Sequence, residues 1–117
     1  MFTTVTSMET RPTTGTLRPA IRTRARFDAA GVLAENGVRC VMDISDGLAA
    51  EVNHICKQSK TGAEIVAADI PLHPLAVEAG RLTGNDPLTF ALSGGEDFEL
   101  LFSIDPQDRQ QLESRGI

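Results

Sequence analysis

The chain of 117 residues contains no tryptophan, no tyrosine and only five phenylalanines. Its core must therefore come from Val, Ile, Leu and Ala. Cysteine is scarce as well: Cys40, in an apolar run, and Cys56, in a helical pattern, are too few for a disulfide scaffold. Both are expected to be buried free thiols in a reducing, cytoplasmic setting. No apolar run approaches the roughly twenty residues that a membrane-spanning helix needs. Basic residues are outnumbered 11 to 16, for a net charge of −5, so the chain lacks the basic surface of a non-specific nucleic-acid binder. Acidity does not exclude phosphate ligands, because carboxylates reach them through bound Mg²⁺. The length fits one small domain.

Residues 1–26 differ from the remainder. They are rich in Thr and Arg, carry Pro12 and Pro19, and hold a single acid, Glu9. Such a composition fits a transit peptide, a disordered leader or a linker. The lack of an apolar periodic face favours a flexible leader or linker, with a folded domain over residues 27–117.

Within that domain, apolar spacing predicts a helix over residues 27–36, ended by Gly37, and a strand over 38–42. A second helix follows, in which Leu48, Val52, Ile55 and Cys56 recur at helical spacing while Glu51, Asn53, Lys57 and Gln58 fall elsewhere. Ser45 or Asp46 is its expected N-cap, and Gly62 lies beyond its end. His54 and Cys56, two apart, point to different faces and do not form a shared metal site. Residues 63–67 are expected as a short strand, 75–82 as a helix, and 88–92 and 98–104 as strands paired in a hairpin around residues 93–97. Asp105 is expected to cap a last helix opened by Pro106. The fold class is therefore α/β: a sandwich with a mixed sheet of about four strands, covered by helices.

Two polar clusters carry the chemistry. Met42-Asp43-Ile44-Ser45-Asp46-Gly47-Leu48 places Asp43 at a strand's end and Asp46 at a helix's start. The C-terminal edge of a strand is the usual ligand side of an α/β sheet, and the free N–H groups of a helix start favour anions. Two carboxylates here can hold Mg²⁺, while Ser45 offers a hydroxyl and an N–H. The plain alternative is an N-cap beside a solvated strand end, and an Asp-x-x-Asp pair alone does not decide between them. The second cluster, Ser93-Gly94-Gly95-Glu96-Asp97, reads equally as a tight, soluble loop or as a backbone that lets a ligand approach, with Glu96 contacting it.

Taken together, the first cluster and Ser93-Gly94-Gly95-Glu96-Asp97-Phe98-Glu99-Leu100-Leu101-Phe102 closely resemble the C-terminal domain of the thiamine-monophosphate kinases. That family belongs to the aminoimidazole ribonucleotide synthetase superfamily, with selenophosphate synthetase and the hydrogenase-maturation dehydratase. The resemblance runs from about Thr16 onward, and the pair of motifs is far more specific than either alone. It implies the α/β sandwich of that superfamily's C-terminal domain and an ATP-dependent transfer of a phosphoryl group to thiamine monophosphate, giving thiamine diphosphate. It further implies Asp43 and Asp46 as Mg²⁺ ligands, Ser45 as an ATP contact and Glu96 as a substrate contact. No residue is assigned as a general base, since the acceptor is already an ionised phosphate and phosphoryl transfer rests on positioning and charge neutralisation.

The family's N-terminal domain, with further Asp ligands, nucleotide contacts and the main dimer interface, has no counterpart in these 117 residues. Nor has the aromatic near its C-terminus. The expectation is a truncated domain without kinase activity by itself, completed by an N-terminal domain or an oligomeric partner. The alternatives are another ATP-using enzyme of the superfamily, or a non-catalytic domain that binds a phosphorylated ligand or a protein.

Overall fold

A computed structural model describes residues 26–95 and 99–115. The elements run α1 (Phe27–Glu35), β1 (Cys40–Asp43), α2 (Leu48–Ser59), a 3-10 turn (Ala67–Asp69), α3 (Pro74–Thr83), α4 (Pro87–Ser93), β2 (Leu100–Ser103) and α5 (Pro106–Ser114). Helix α1 ends as expected at Gly37, which takes φ +79°. Its N–H donates to Ala34 O, and Val38 N donates to Leu33 O, each at 3.0 Å. This pair of closing bonds requires a left-handed residue. It also turns Val38 back onto Leu33, and both belong to one apolar cluster.

The α/β class stands, but the sheet is smaller than the pattern implied. Among the described residues it has two strands, β1 antiparallel to β2, with Val41 opposite Phe102, Met42 opposite Leu101 and Asp43 opposite Leu100. Strand β2 is buried on both faces, and successive side chains of a strand point to opposite sides. Leu100 and Phe102 therefore pack with Ala29, Leu33, Val38 and Leu112, joining α1 and α5. Leu101, 1% exposed, faces the other way into Ile44, Leu48 and Val52, with Met42, Ile55 and Leu92 around them. Among the described residues Phe102 is the only aromatic in these two clusters, in keeping with the aromatic-poor composition.

Two expected strands are absent. Residues 63–66 have no regular structure and lead into the 3-10 turn, while residues 88–92 lie within helix α4. The reason in the second case is local. Asp86 Oδ1 accepts from Leu88 N at 2.9 Å, and Pro87 occupies the first helical position, where a missing N–H costs nothing. With residues 88–92 helical, the expected two-strand hairpin is not formed, and residues 96–98 of its expected loop and second strand lie outside the described residues. By contrast, Asp105 caps α5 as anticipated, accepting from Gln107 N at 3.0 Å.

Helix α2 ends at Ser59 with Lys60 as its C-cap, so Gly62 lies beyond its end as expected. Lys60 adopts φ 53°, and the following Thr61 N donates to Cys56 O at 3.0 Å. A side chain at a left-handed position crowds its own carbonyl. Lys60→Gly is expected to raise unfolding stability by up to about 1 kcal/mol, since relief of that crowding exceeds the added chain entropy. Urea denaturation of the two proteins would measure it.

Candidate functional site

Asp43 is the last residue of β1, and its exposed side chain emerges where the strand passes into the turn before α2. Ile44 continues the pairing, donating its N–H to Glu99 O at 2.8 Å. Ile44 and Leu48 are buried on either side of the turn, so the polar residues between them are held at the surface by apolar anchors. Asp46 is exposed. Its carboxylate and that of Asp43 accept no hydrogen bond among the described residues.

Neither Ser45 nor Asp46 caps α2. The capping position is Gly47, at φ 101° and ψ 151°, without a side-chain bond. The turn is closed instead by Glu51, one turn into the helix. A single oxygen, Glu51 Oε1, accepts from Ser45 Oγ at 3.1 Å, Asp46 N at 3.1 Å and Ser45 N at 3.3 Å. The other, Oε2, lies 3.4 Å from His54 Nδ1. Glu51 is only 2% exposed, the one buried charged residue among those described. The Asp46 N–H holds its carboxyl below the usual 4.5, against the opposing pull of burial, with the Ser45 donors and His54 adding to the effect.

Glu51 is the residue that sequence reasoning missed. It was placed off the apolar face, yet positions 48, 51, 52 and 55 form one helical stripe. Leu48 and Val52 on that stripe are buried, Ile55 partly so. An acid on such a stripe has to be paired or hydrogen-bonded, which was the available signal.

The two polar clusters meet in space. A Cβ added to Gly47 would lie 2.8 Å from Leu92 O and 2.9 Å from Gly94 O, and one added to Gly95 would lie 2.7 Å from Ser45 O. The end of α4 thus rests on the Ser45–Gly47 backbone, and glycine is needed on both sides of the contact. Glu96 and Asp97 lie outside the described residues, so the expected role of Glu96 is not placed by this geometry. Glu99, at the far end of the same motif, is engaged with Arg26: Nη1 is 3.0 Å from Oε1 and 2.8 Å from Oε2. Arg26, the last residue of the segment read as a leader, thereby ties the start of α1 to the start of β2.

Among the described residues no three His, Cys, Asp or Glu side chains form a metal cluster. Two exposed carboxylates three positions apart on one turn nevertheless suit Mg²⁺ in kind, since it commonly takes one or two protein carboxylates and completes its shell with water and phosphate oxygens. Cys40 and Cys56 are free, as expected, but half-buried rather than buried.

An α/β domain whose carboxylate-bearing turn packs on a Gly-Gly segment has the wording and the layout of one known class of C-terminal domain, and comparison gives the family. The chain belongs to the family of AIR synthase related proteins, C-terminal domain, whose model matches residues 5–115. Within it, the chain is similar to thiamine-monophosphate kinases. It is 32% identical to that of Rhodopirellula baltica over 95 residues, covering 80% of this chain and 30% of the relative. It is 41% identical to that of Aquifex aeolicus over 68 residues, covering 58% and 22%. A solved structure of AaThiL complexed with AMPPCP and TMP superposes with a TM-score of 0.71 at 33% identity, covering 79% of this chain and 29% of that one. The chain thus spans less than a third of the length of the kinases it matches.

Gly47→Ala is expected to cost at least about 2 kcal/mol, because positive-φ strain and a backbone clash act together; a lowered urea midpoint would register it. The acid dependence follows from Glu51. Its folded-state pKa is depressed, so its contribution to stability is complete above the unfolded value near 4.5 and is lost as pH falls through the folded value. Unfolding midpoints measured at neutral pH and below that value are expected to converge for wild type and Glu51→Gln as pH falls.

Proposed function

We propose that this domain forms the Mg²⁺–nucleotide wall of an ATP-dependent thiamine-monophosphate kinase. The observation that carries the reading is the junction of the Asp43–Asp46 turn with Gly94 and Gly95, in a chain similar to kinases of that name and to AaThiL complexed with AMPPCP and TMP. Asp43 and Asp46 would hold Mg²⁺, which when bound would supply charge neutralisation for the phosphates. The protein's own contribution is positional. Apolar anchors at Ile44 and Leu48 hold the turn, and Glu51 takes up its donors.

Ser45 has a narrower role than a phosphate donor. Its hydroxyl proton is directed at the ionised Glu51, so towards a nucleotide the oxygen can only accept, from a ribose hydroxyl or a water. Glu96, next to Gly95 in sequence, is proposed to contact the thiamine moiety. The facing wall, with further ligands, comes from another domain or a second polypeptide, and a reducing cytoplasmic setting suits the two thiols.

Calorimetry of the 117-residue protein with ATP, thiamine monophosphate and Mg²⁺ tests this. Nucleotide binding is expected to require Mg²⁺ and to weaken at least about tenfold in Asp43→Asn and in Asp46→Asn. Turnover by this polypeptide alone is expected to be absent. Equal affinity with and without Mg²⁺, or in the two variants, would count against the assignment.

A further inference from the structure

We propose that Glu51 is a positioning residue that turns the donors of the Ser45–Asp46 segment inward while the Asp46 carboxylate, like that of Asp43, stays outward, making this corner bind cations and not bare phosphate. The inference rests on the proposed Mg²⁺ role of Asp43 and Asp46 and deepens it.

The location of Glu51 argues for this specific task. An acid that merely stabilised the start of α2 would bond the N–H at the capping position, as in a capping box. Glu51 bypasses Gly47 and takes the N–H groups of the two residues before it, with the Ser45 hydroxyl. Those are the groups that would otherwise welcome an anion at this turn. With all of them donated to an internal carboxylate, a phosphate finds no free donor on Ser45 or Asp46 and meets a third negative charge nearby. A cation finds the reverse. The Asp46 carboxylate, freed from capping because Gly47 occupies that position, accepts no bond among the described residues. The Asp46 backbone is fixed from behind, so its side chain projects from a defined point. Groups that orient metal-binding residues in this way typically contribute ten- to a hundredfold to metal affinity, in order of magnitude roughly so across known sites.

The test uses the 117-residue protein, ¹⁵N-labelled, titrated separately with Mg²⁺ alone and with inorganic phosphate alone. Mg²⁺ is expected to shift the Asp43 and Asp46 signals, whereas phosphate leaves the Ser45 and Asp46 amides unmoved. In Glu51→Ala, Mg²⁺ affinity is expected to fall about tenfold and the Asp46 amide to lose its protection from exchange. Glu51→Gln keeps the reach and the acceptor oxygen but not the charge; it is expected to retain that protection and to lose less affinity. Should the alanine variant not fold, the glutamine variant carries the comparison. A role confined to helix stability would lower the melting temperature and leave the Mg²⁺ affinity of the folded protein unchanged, and that result would overturn the proposal. So would phosphate binding at the Ser45 and Asp46 amides of the wild type. Failure of the wild type to bind Mg²⁺ overturns the cation assignment along with the kinase reading, while the exchange protection of Asp46 separately decides whether Glu51 positions the turn.

Discussion

A buried carboxylate needs several donors to remain ionised away from water, and Glu51 finds them in the Ser45–Asp46 turn. Much of the site's arrangement depends on that single constraint. It settles the course of the chain between β1 and α2, and it leaves capping of the helix to Gly47. It also leaves the exposed carboxylate of Asp46 out of the capping of α2. Because Gly47 and Gly95 lie against backbone oxygens across the contact, the same turn fixes where the end of α4 can sit.

The apolar framework behind this turn hinges on β2. A strand buried on both faces serves two cores at once, and Leu100, Leu101 and Phe102 do so through the alternation of the pleat. One face gathers α1 and α5, the other α2 and α4. The site turn sits at the edge of the second cluster, anchored by Ile44 and Leu48, while Arg26 and Glu99 fasten the strand's entry nearby. Packing and the proposed chemistry are thus coupled through adjacent residues: Ile44 is core, and Asp43 and Ser45 on either side of it belong to the proposed site.

Legibility in the sequence varied with the kind of signal. The Gly37 stop and the Asp105–Pro106 start were readable because each depends on a local backbone requirement. The same Asp-Pro signal stands at Asp86–Pro87, where the apolar run after it suggested a strand; the cap and the proline decided for helix α4. The left-handed Lys60 was not readable, since a lysine carries no such preference and only the surrounding bonds impose it. Asp43 and Asp46 were legible as candidates. The freedom of Asp46 from capping was not, because it depends on where a side chain five residues further on is buried.

By itself, the sequence determined the α/β class, the placing of most helices and the identity of the two polar motifs, through periodicity, capping residues and motif wording. Only the tertiary structure decided that the motifs touch, that the sheet among the described residues has two strands, and that Glu51 belongs inside. Contacts between segments distant in the chain, and the burial of one charge on a half-apolar stripe, leave no mark in local spacing. They exist only once α2, α4 and β2 have closed around Leu101.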